Sequence, residues 1–274
     1  MSVGIFAAAQ LMKVLPRTRI SRVVGNLCER KLPRAVSRLV EGTYCRAFQV
    51  DMSEVAEREG PYPSFDGFFT RTLRAGARPI SEDRLVSPAD GLLSATGPID
   101  AGARLFVKGN HYEVGELVGE QREASRYAGG CYAVIYLSPS DYHRVHAPVD
   151  GRLMQVRCMP GDCLPVNAIG ERYFPRLFVR NHRIALVIET EMMGRVTVVM
   201  VGAVIVGRIT VTALPNPVVP PGVHEVEPAV TIERGDEIGI FHLGSTVVVL
   251  LEPPTTISYP EGPVRYGQSL LKAP

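Results

Sequence analysis

Apolar side chains in the first 60 residues recur at the spacing of an amphipathic helix. Between Arg17 and Lys31 they follow the pattern i, i+3, i+4, i+7 and i+8, at Ile20, Val23, Val24, Leu27 and Cys28. Pro33 ends this predicted helix and begins a second one, with a similar stripe at Val36, Leu39, Val40 and Phe48. Proline is tolerated in the first turn of a helix but breaks its interior, so the stripes belong to two helices. Residues 51–54 predict a further helix start.

From about residue 80 the pattern changes to short runs of β-branched and apolar residues, most of them bounded by Gly, Pro, Asn or Asp. The runs predicted as strands are residues 105–108, 131–137, 184–190, 196–206, 209–212 and 246–251. Short strands without long helices between them favour antiparallel pairing. The sequence therefore predicts an α+β fold: N-terminal amphipathic helices over residues 1–60, and a β-rich, mainly antiparallel core over residues 61–274.

The positive charge of the chain is concentrated at its N-terminal end. Residues 1–50 contain nine Lys or Arg and two acidic residues, a net charge of +7, in a chain whose overall formal charge is +2. Such an arm favours an anionic partner. Nucleic acid is disfavoured because the basic residues alternate with apolar ones and base-reading side chains are lacking. Two interpretations remain open: the helices pack on the core, or they dock at a membrane surface, which the apolar segment Ile5–Met12 favours.

No segment of the sequence predicts a membrane-spanning helix or a secretory signal. The apolar stretch from Ser2 to Met12 is far shorter than the roughly 20 residues of a spanning helix. No basic residues precede it and no convincing cleavage site follows it. The five cysteines contain no CxxC pair, and their odd number and wide spread predict reduced thiols in a cytosolic compartment.

Two histidines three residues apart, His143 and His146, follow the predicted strand 131–137. Neither an HExxH pattern nor a nearby third ligand accompanies them, so a metal site has little support. Each is open to a structural or a catalytic role, and their grouping with Asp141 in a histidine-poor chain favours catalysis. Asp90 lies in a Pro-Ala-Asp-Gly turn, where it either bonds its own turn or orients an imidazole.

Ser245 follows Gly244 near the C-terminal end of the chain. Gly244 has no Cβ, so its carbonyl group is open to attack by the Ser245 hydroxyl. A serine hydroxyl is a poor nucleophile without a base, which an Asp–His–Ser relay would supply. No Gly-x-Ser-x-Gly elbow is present, so a conventional serine hydrolase has weaker support.

Over roughly residues 5–255 the chain resembles the phosphatidylserine decarboxylases in a series of short motifs. Their order and spacing carry the resemblance, since several are individually weak. The motifs are Val50-Asp51-Met52, Phe68-Phe69-Thr70-Arg71-Thr72-Leu73-Arg74 with Arg78-Pro79-Ile80, Pro88-Ala89-Asp90-Gly91, Lys108-Gly109, Tyr136-Leu137-Ser138-Pro139 with Asp141-Tyr142-His143-Arg144-Val145-His146, Pro160-Gly161-Asp162, Val166-Asn167, Val201-Gly202-Ala203 and Leu243-Gly244-Ser245-Thr246.

The resemblance implies a proenzyme that cleaves itself between Gly244 and Ser245. A triad of Asp90, His146 and Ser245 would cut the chain into a β chain, residues 1–244, and an α chain, residues 245–274. Ser245 would become a covalent pyruvoyl group, which forms a Schiff base with the substrate amine and withdraws electrons as pyridoxal phosphate does. His143 is the candidate for assisting decarboxylation or delivering the proton.

The same resemblance implies decarboxylation of phosphatidylserine to phosphatidylethanolamine and CO2. It implies no metal and no diffusible cofactor, an anionic membrane as partner, and a homodimer of processed α and β chains. The expected location is peripheral, at the cytoplasmic face of the cell membrane. Two alternatives stay open: a serine hydrolase with the same triad and no self-cleavage, and a non-enzymatic membrane-binding β-domain.

Overall fold

The computed structural model describes residues 17–166, 170, 173–203 and 208–271 of the chain. The apolar segment Ile5–Met12 lies outside these residues. The described helices are α1 Arg17–Cys28, α2 Arg34–Phe48, α3 Phe65–Phe69, α4 Val114–Val118, a 3-10 helix Gln121–Tyr127, and α5 Leu177–Arg180.

Strands make up most of the remaining regular structure. The described strands are β1 Gly91–Pro98, β2 Arg104–Val107, β3 Asn110–Glu113, β4 Cys131–Leu137, β5 Arg144–His146, β6 Gly151–Met159, β7 Arg183–Glu189, β8 Arg195–Gly202, β9 Arg208–Thr210, β10 Gly222–Ile232, β11 Glu237–His242, β12 Ser245–Leu251 and β13 Gly262–Val264.

Eight of these strands form one sheet in the order β10-β6-β7-β8-β12-β4-β1-β13. A second sheet has the order β5-β11-β9, and β2 pairs with β3 in a hairpin. Every pairing between these strands is antiparallel. The predicted α+β fold with a mainly antiparallel, β-rich core is confirmed.

The centre of the large sheet is its most buried part. Every residue of β12 is buried, and so is every residue of β4 except Tyr136, which is half-buried. A strand covered on both faces needs apolar residues at consecutive positions, which explains the unbroken run Val247–Leu251. Each of the six predicted strand runs overlaps an observed strand, although residues 204–207 lie outside the description.

The helix start predicted at residues 51–54 is wrong. These residues form a turn in which the amide of Ser53 donates to Asp51 Oδ1 at 2.8 Å. Val55 then forms an isolated antiparallel bridge with Leu73. Aspartate at this position stabilises a turn with its own side chain, which competes with helix formation.

Helices α1 and α2 turn their apolar stripes outward. Val23 and Leu27 of α1 are 66% and 59% exposed, and Leu39 of α2 is 69% exposed. The buried positions of α2 are polar: Ser37 donates to the carbonyl of Tyr62, and Glu41 accepts from the amide of Tyr62. The interpretation that these stripes pack on the core is therefore wrong for the described helices.

Within the described residues, no helix has both the length and the apolar character needed to cross a bilayer. None of the five cysteines forms a disulfide. Helix α2 is fastened to the β-rich part of the chain at its C-terminal half, where Tyr44 Oη donates to the carbonyl of Pro139 at 3.0 Å.

Candidate active site

The candidate residues lie at the same end of three neighbouring strands of the large sheet, β12, β4 and β1. β1 and β12 pair with opposite sides of β4, so that Leu92, Tyr136 and Thr246 lie side by side. Asp90 immediately precedes β1 and Ser245 begins β12, so both lie beside the C-terminal end of β4. The segment that carries His143 and His146 leaves β4 at this same end.

Asp90 and Ser245 are separated by the width of β4. Neighbouring strands lie about 4.8 Å apart, so the backbones of these two residues are on the order of 10 Å apart. A third group is therefore needed to connect them. Gly91 fits closely against β4, since a Cβ at this position would lie 2.3 Å from the carbonyl oxygen of Tyr136. The Pro-Ala-Asp-Gly turn thus has a packing reason for its glycine.

The hydroxyl of Ser245 is buried without a hydrogen-bond partner. The residue is 1% exposed and pairs with Leu137 on one side and Gly202 on the other. Among the described residues, neither its Oγ nor Thr246 Oγ1 has a hydrogen-bond partner. Buried hydroxyls are normally bonded, so these orphaned atoms mark a site where the chain tolerates an energetic cost.

The backbone before Ser245 is strained. Leu243 has φ of 88°, a region that costs energy for a residue with a branched side chain. Gly244 is open, with no atom within 4 Å of the position a Cβ would take. The segment is anchored just upstream, where His242 Nδ1 lies 2.8 Å from Asp66 Oδ1 and Nε2 lies 3.1 Å from Thr210 Oγ1. The side chain of His242 therefore anchors the backbone directly before the strained residue Leu243.

His146 has a defined tautomer. Its Nδ1 lies 2.6 Å from the carbonyl oxygen of Gly235, and a carbonyl can only accept, so Nδ1 carries the proton. In the neutral ring Nε2 is then an acceptor, 3.3 Å from the hydroxyl of Tyr142. The ring of Tyr266 stacks parallel to the imidazole, with centroids 3.9 Å apart and 4° between the planes. Burial lowers the pKa of His146, which favours the neutral base.

Asp90 does not contact His146 through a hydrogen bond. Its carboxylate accepts from Arg78, whose Nη2 lies 2.6 Å from Oδ2, and from the backbone amide of Tyr266 at 2.9 Å. Asp90 instead acts on His146 in two indirect ways. Its charge partly opposes the burial effect on the imidazole pKa, and its bond to Tyr266 fixes the residue that stacks on the ring.

His143 is completely buried. Its Nδ1 lies 2.9 Å from the carbonyl oxygen of Asp141, while its Nε2 has no partner among the described residues. Burial, and to a smaller extent the charge of Arg71, lower the pKa of His143 to about 3, against the opposing effect of its hydrogen bond to Asp141. The backbone carbonyl of His143 accepts from the amide of Phe241 at 3.0 Å, four residues before Ser245. His143 is therefore a neutral imidazole with a free lone pair, and its backbone is bonded to β11, which ends three residues before Ser245.

The structure adds residues that the sequence analysis did not single out. The carbonyl of Gly235, the hydroxyl of Tyr142, the ring of Tyr266 and the guanidinium of Arg78 surround His146 and Asp90. Arg78 and Tyr142 lie in the motifs of the family resemblance, and the φ of 89° at Gly235 explains the glycine in the turn before β11. A backbone carbonyl and a stacked ring leave no pattern in a single sequence.

A cavity of about 370 Å³ adjoins the site. Asp90, Tyr142, Asp141, Arg71 and Arg78 contribute to its walls, together with the residues after α2 and after β13. Ser245, His143 and His146 do not line it, in keeping with their burial. Within the described part of the chain, no three His, Cys, Asp or Glu residues come together as metal ligands do.

The comparisons with known proteins agree on one family. The family model described as phosphatidylserine decarboxylase matches residues 65–272. The phosphatidylserine decarboxylase proenzyme of Anaeromyxobacter sp. (strain K) is 39% identical over 252 residues, covering 88% of each chain. Proteins of the same name from Shewanella sp. (strain W3-18-1) and Shewanella baltica (strain OS155 / ATCC BAA-1091) are 38% identical over 265 residues, covering 92% of this chain and 91% and 90% of theirs.

These similarities extend over nearly the whole chain and define an enzyme of the carboxy-lyase class, a decarboxylase. The chain belongs to the phosphatidylserine decarboxylase family. The family resemblance inferred from the motifs is confirmed.

Proposed function

We propose that this chain is a self-cleaving proenzyme that becomes a pyruvoyl-dependent phosphatidylserine decarboxylase. The observation that carries the proposal is the environment of Ser245: a buried, unpartnered hydroxyl directly after an open glycine and a strained leucine. The proenzyme names of the relatives support it.

In the proposed self-cleavage, Ser245 Oγ attacks the carbonyl carbon of Gly244 and a neighbouring base takes the hydroxyl proton. The peptide bond to Ser245 breaks and is replaced by an ester. Elimination then releases Gly244 as a carboxylate, and hydrolysis with loss of ammonia leaves the pyruvoyl group on residue 245. The strain at Leu243 supports this route, since cleavage of the Gly244–Ser245 bond would relieve it.

We propose His146 as that base, with Asp90 and Ser245 completing the triad. The neutral Nδ1–H tautomer leaves Nε2 able to accept a proton, and the lowered pKa keeps it so at neutral pH. Ser245 Oγ and His146 are not hydrogen-bonded in this structure, so the reactive geometry requires a movement of one of them. Catalytic contacts often tighten only in the reacting state.

The residues around Ser245 fit a covalent pyruvoyl group. Conversion removes the Oγ hydroxyl, which has no hydrogen bond to lose among the described residues. When formed, the group supplies the electron sink for decarboxylation of an amino acid headgroup. His143 is proposed to handle the proton on the substrate, because its buried Nε2 has no partner among the described residues and its backbone carbonyl is bonded to Phe241, four residues before Ser245.

The substrate is proposed to be reached at an anionic membrane surface on the cytoplasmic side of the cell membrane. The exposed apolar stripes of α1 and α2, flanked by arginines, support docking in the interfacial region. We also propose, from the family resemblance alone, that the processed α and β chains form a homodimer.

The direct test of the proposed function is an activity assay on phosphatidylserine vesicles. The account predicts release of CO2 and appearance of phosphatidylethanolamine, and inactivation by a carbonyl reagent such as phenylhydrazine. Activity that persists after phenylhydrazine treatment would contradict the pyruvoyl proposal. The serine hydrolase alternative, which predicts hydrolysis without CO2 and without self-cleavage, receives no support from the comparisons.

A further inference from the structure

Arg71 is a buried arginine whose hydrogen bonds end on the loop that carries His143. It follows α3 and is 4% exposed. Its Nη2 donates to the carbonyl oxygens of Ser140 and Asp141, at 2.8 and 3.2 Å. Its Nε and Nη1 have no partner among the described residues. Burying a guanidinium with unused donors is costly, so the contacts it does make require a reason.

The carbonyl of Asp141 is shared between Arg71 and His143. His143 Nδ1 lies 2.9 Å from this oxygen, and Arg71 Nη2 lies 3.2 Å from it. Since a carbonyl oxygen only accepts, Nδ1 carries the proton and Nε2 of the neutral ring is bare. The position of this one oxygen therefore decides which nitrogen of His143 is the base.

The same short segment also holds the face of the imidazole. The ring of Phe69, two residues before Arg71, lies against His143 with centroids 4.1 Å apart. Arg71 in turn lies over the ring of Phe68, its guanidinium carbon 5.7 Å from the centroid. The residues Phe68–Arg71 thus fix both the plane of the imidazole and its hydrogen-bond acceptor.

The charge of Arg71 acts on His143, and the carboxylate of Asp141 offsets part of that charge. Among the described residues Arg71 forms no ion pair, and the carboxylate of Asp141 accepts from the amide of Ser138 at 2.6 Å. Beside the loop, Arg144 forms an ion pair with Glu237 at 2.6 Å, and His242 Nδ1 lies 2.8 Å from Asp66 Oδ1. Arg71 accordingly lowers the pKa of His143 beyond the effect of burial.

We propose that Arg71 is the positioning residue of His143: it holds the Asp141 carbonyl in place and thereby keeps the imidazole proton on Nδ1 and Nε2 free. Its positive charge also disfavours the doubly protonated ring. The importance of this arrangement for decarboxylation rests on the proposed function, whereas the effect on the state of the imidazole does not.

The structural half of the proposal is tested by ¹⁵N-histidine NMR on the uncleaved Ser245→Ala chain. His143→Gln in the same background assigns the His143 signals among the six histidines. We expect a neutral Nδ1–H ring that stays neutral down to about pH 5, two units above a pKa of about 3. Arg71→Met should raise that pKa by roughly one unit and mix the two tautomers. Arg71→Lys, which keeps the charge, should leave that pKa close to its value in the Ser245→Ala parent.

Arg183 provides a matched control. It is also a buried arginine that donates to backbone carbonyls, those of Leu117 and Val179 among them, and burial lowers its pKa to about 10. Arg183→Met should destabilise the chain without changing the tautomer or titration of His143. An Arg71→Met spectrum with an unchanged His143 signal overturns the proposal, as does an equal change in Arg183→Met.

The functional half is tested on the processed enzyme by the pH dependence of decarboxylation. Arg71→Met should lower kcat on the order of tenfold near neutral pH and move the acidic limb of the profile upward, while Arg71→Lys restores the position of that limb. A uniform loss at all pH values would indicate a merely structural role and overturn the positioning proposal. If His143→Ala decarboxylates normally, the proposed function of His143 fails, and the NMR result still decides whether Arg71 controls its tautomer.

Discussion

His146 donates its Nδ1 proton to the backbone carbonyl of Gly235, 2.6 Å away, and has no hydrogen bond to Asp90. The orientation of this candidate base is therefore set by the turn before β11. Asp90 contributes through its charge and through the amide of Tyr266, whose ring covers the imidazole. The two members of the proposed triad should consequently differ in their importance for self-cleavage.

We expect His146→Ala to slow self-cleavage at least 100-fold, because the hydroxyl of Ser245 loses its base. Asp90→Asn should slow it less, on the order of tenfold, because the tautomer is fixed elsewhere. Asn is preferred to Ala, since removal of the carboxylate side chain would leave the buried guanidinium of Arg78 without its main partner. The rate is measured as the disappearance of full-length chain after synthesis in vitro. Normal cleavage in either variant would remove that residue from the triad.

His143→Ala should separate the two reactions. The variant is expected to cleave itself at a near-normal rate but to decarboxylate poorly, because proton transfer to the substrate is a different step from ester formation. Intact mass reports the first reaction and CO2 release the second. A His143→Ala chain that stays uncleaved, combined with a His146→Ala chain that cleaves, would exchange the roles of the two histidines. The backbone carbonyl of His143 accepts from the amide of Phe241, four residues before Ser245. The comparison of His143→Ala with His146→Ala therefore decides which histidine acts in self-cleavage.

The stability of the uncleaved chain should depend on pH through His143. Its pKa is about 3 in the folded chain and about 6.5 in the unfolded chain, so only the unfolded chain binds the proton between these values. Stability is therefore lost as the pH falls below about 6.5. The loss between pH 7 and pH 5 is about 2 kcal/mol from this residue. Urea titrations of Ser245→Ala and of Ser245→Ala with His143→Gln measure it; an equal pH dependence in both would contradict the assignment.

Much of the architecture was predictable from the local pattern. Cys131–Leu137 and Thr246–Leu251 are continuous apolar runs because both lie in the covered centre of the sheet. Strands such as β6 and β10 were missed because polar residues interrupt them: Arg152, Gln155 and Arg157 in β6, and His224, Glu225 and Glu227 in β10. Only a partner strand distinguishes such segments from loops.

The motifs named the candidate residues Ser245, His146 and Asp90, but they did not predict the hydrogen bonds around them. The acceptor for His146 is a backbone carbonyl 89 residues away in sequence. Asp90 was expected to orient the imidazole, and it is instead bound by Arg78, twelve residues before it. Side-chain identity does not encode which of several nearby acceptors an imidazole will meet, because that depends on the packing of three separate loops.

The exposed stripes of α1 and α2 are the proposed membrane contact of the chain. The substitutions Val23→Asp, Leu27→Asp and Leu39→Asp together should weaken sedimentation with anionic vesicles at least tenfold, since each apolar side chain contributes about 1.5–3 kcal/mol when fully buried. Met192→Asp with Val223→Asp is the control, because both residues are exposed and apolar but lie outside α1 and α2, Met192 after β7 and Val223 on β10. Added salt should weaken binding of the parent chain only partly, because apolar contacts are not screened. Equal losses in both variants would place the membrane contact elsewhere.

The central claim is that Ser245 breaks the bond before it, and the mass of the purified chain under denaturing conditions tests it most directly. We predict two fragments, residues 1–244 and residues 245–274, the smaller one lighter by the mass of ammonia than a fragment beginning with serine. Ser245→Ala should give a single folded full-length chain, because only an unbonded hydroxyl is removed. Thr246→Val, which removes the neighbouring unbonded hydroxyl, should still give both fragments. A parent chain that remains at full length, or a Ser245→Ala chain that yields the same two fragments, would contradict the account.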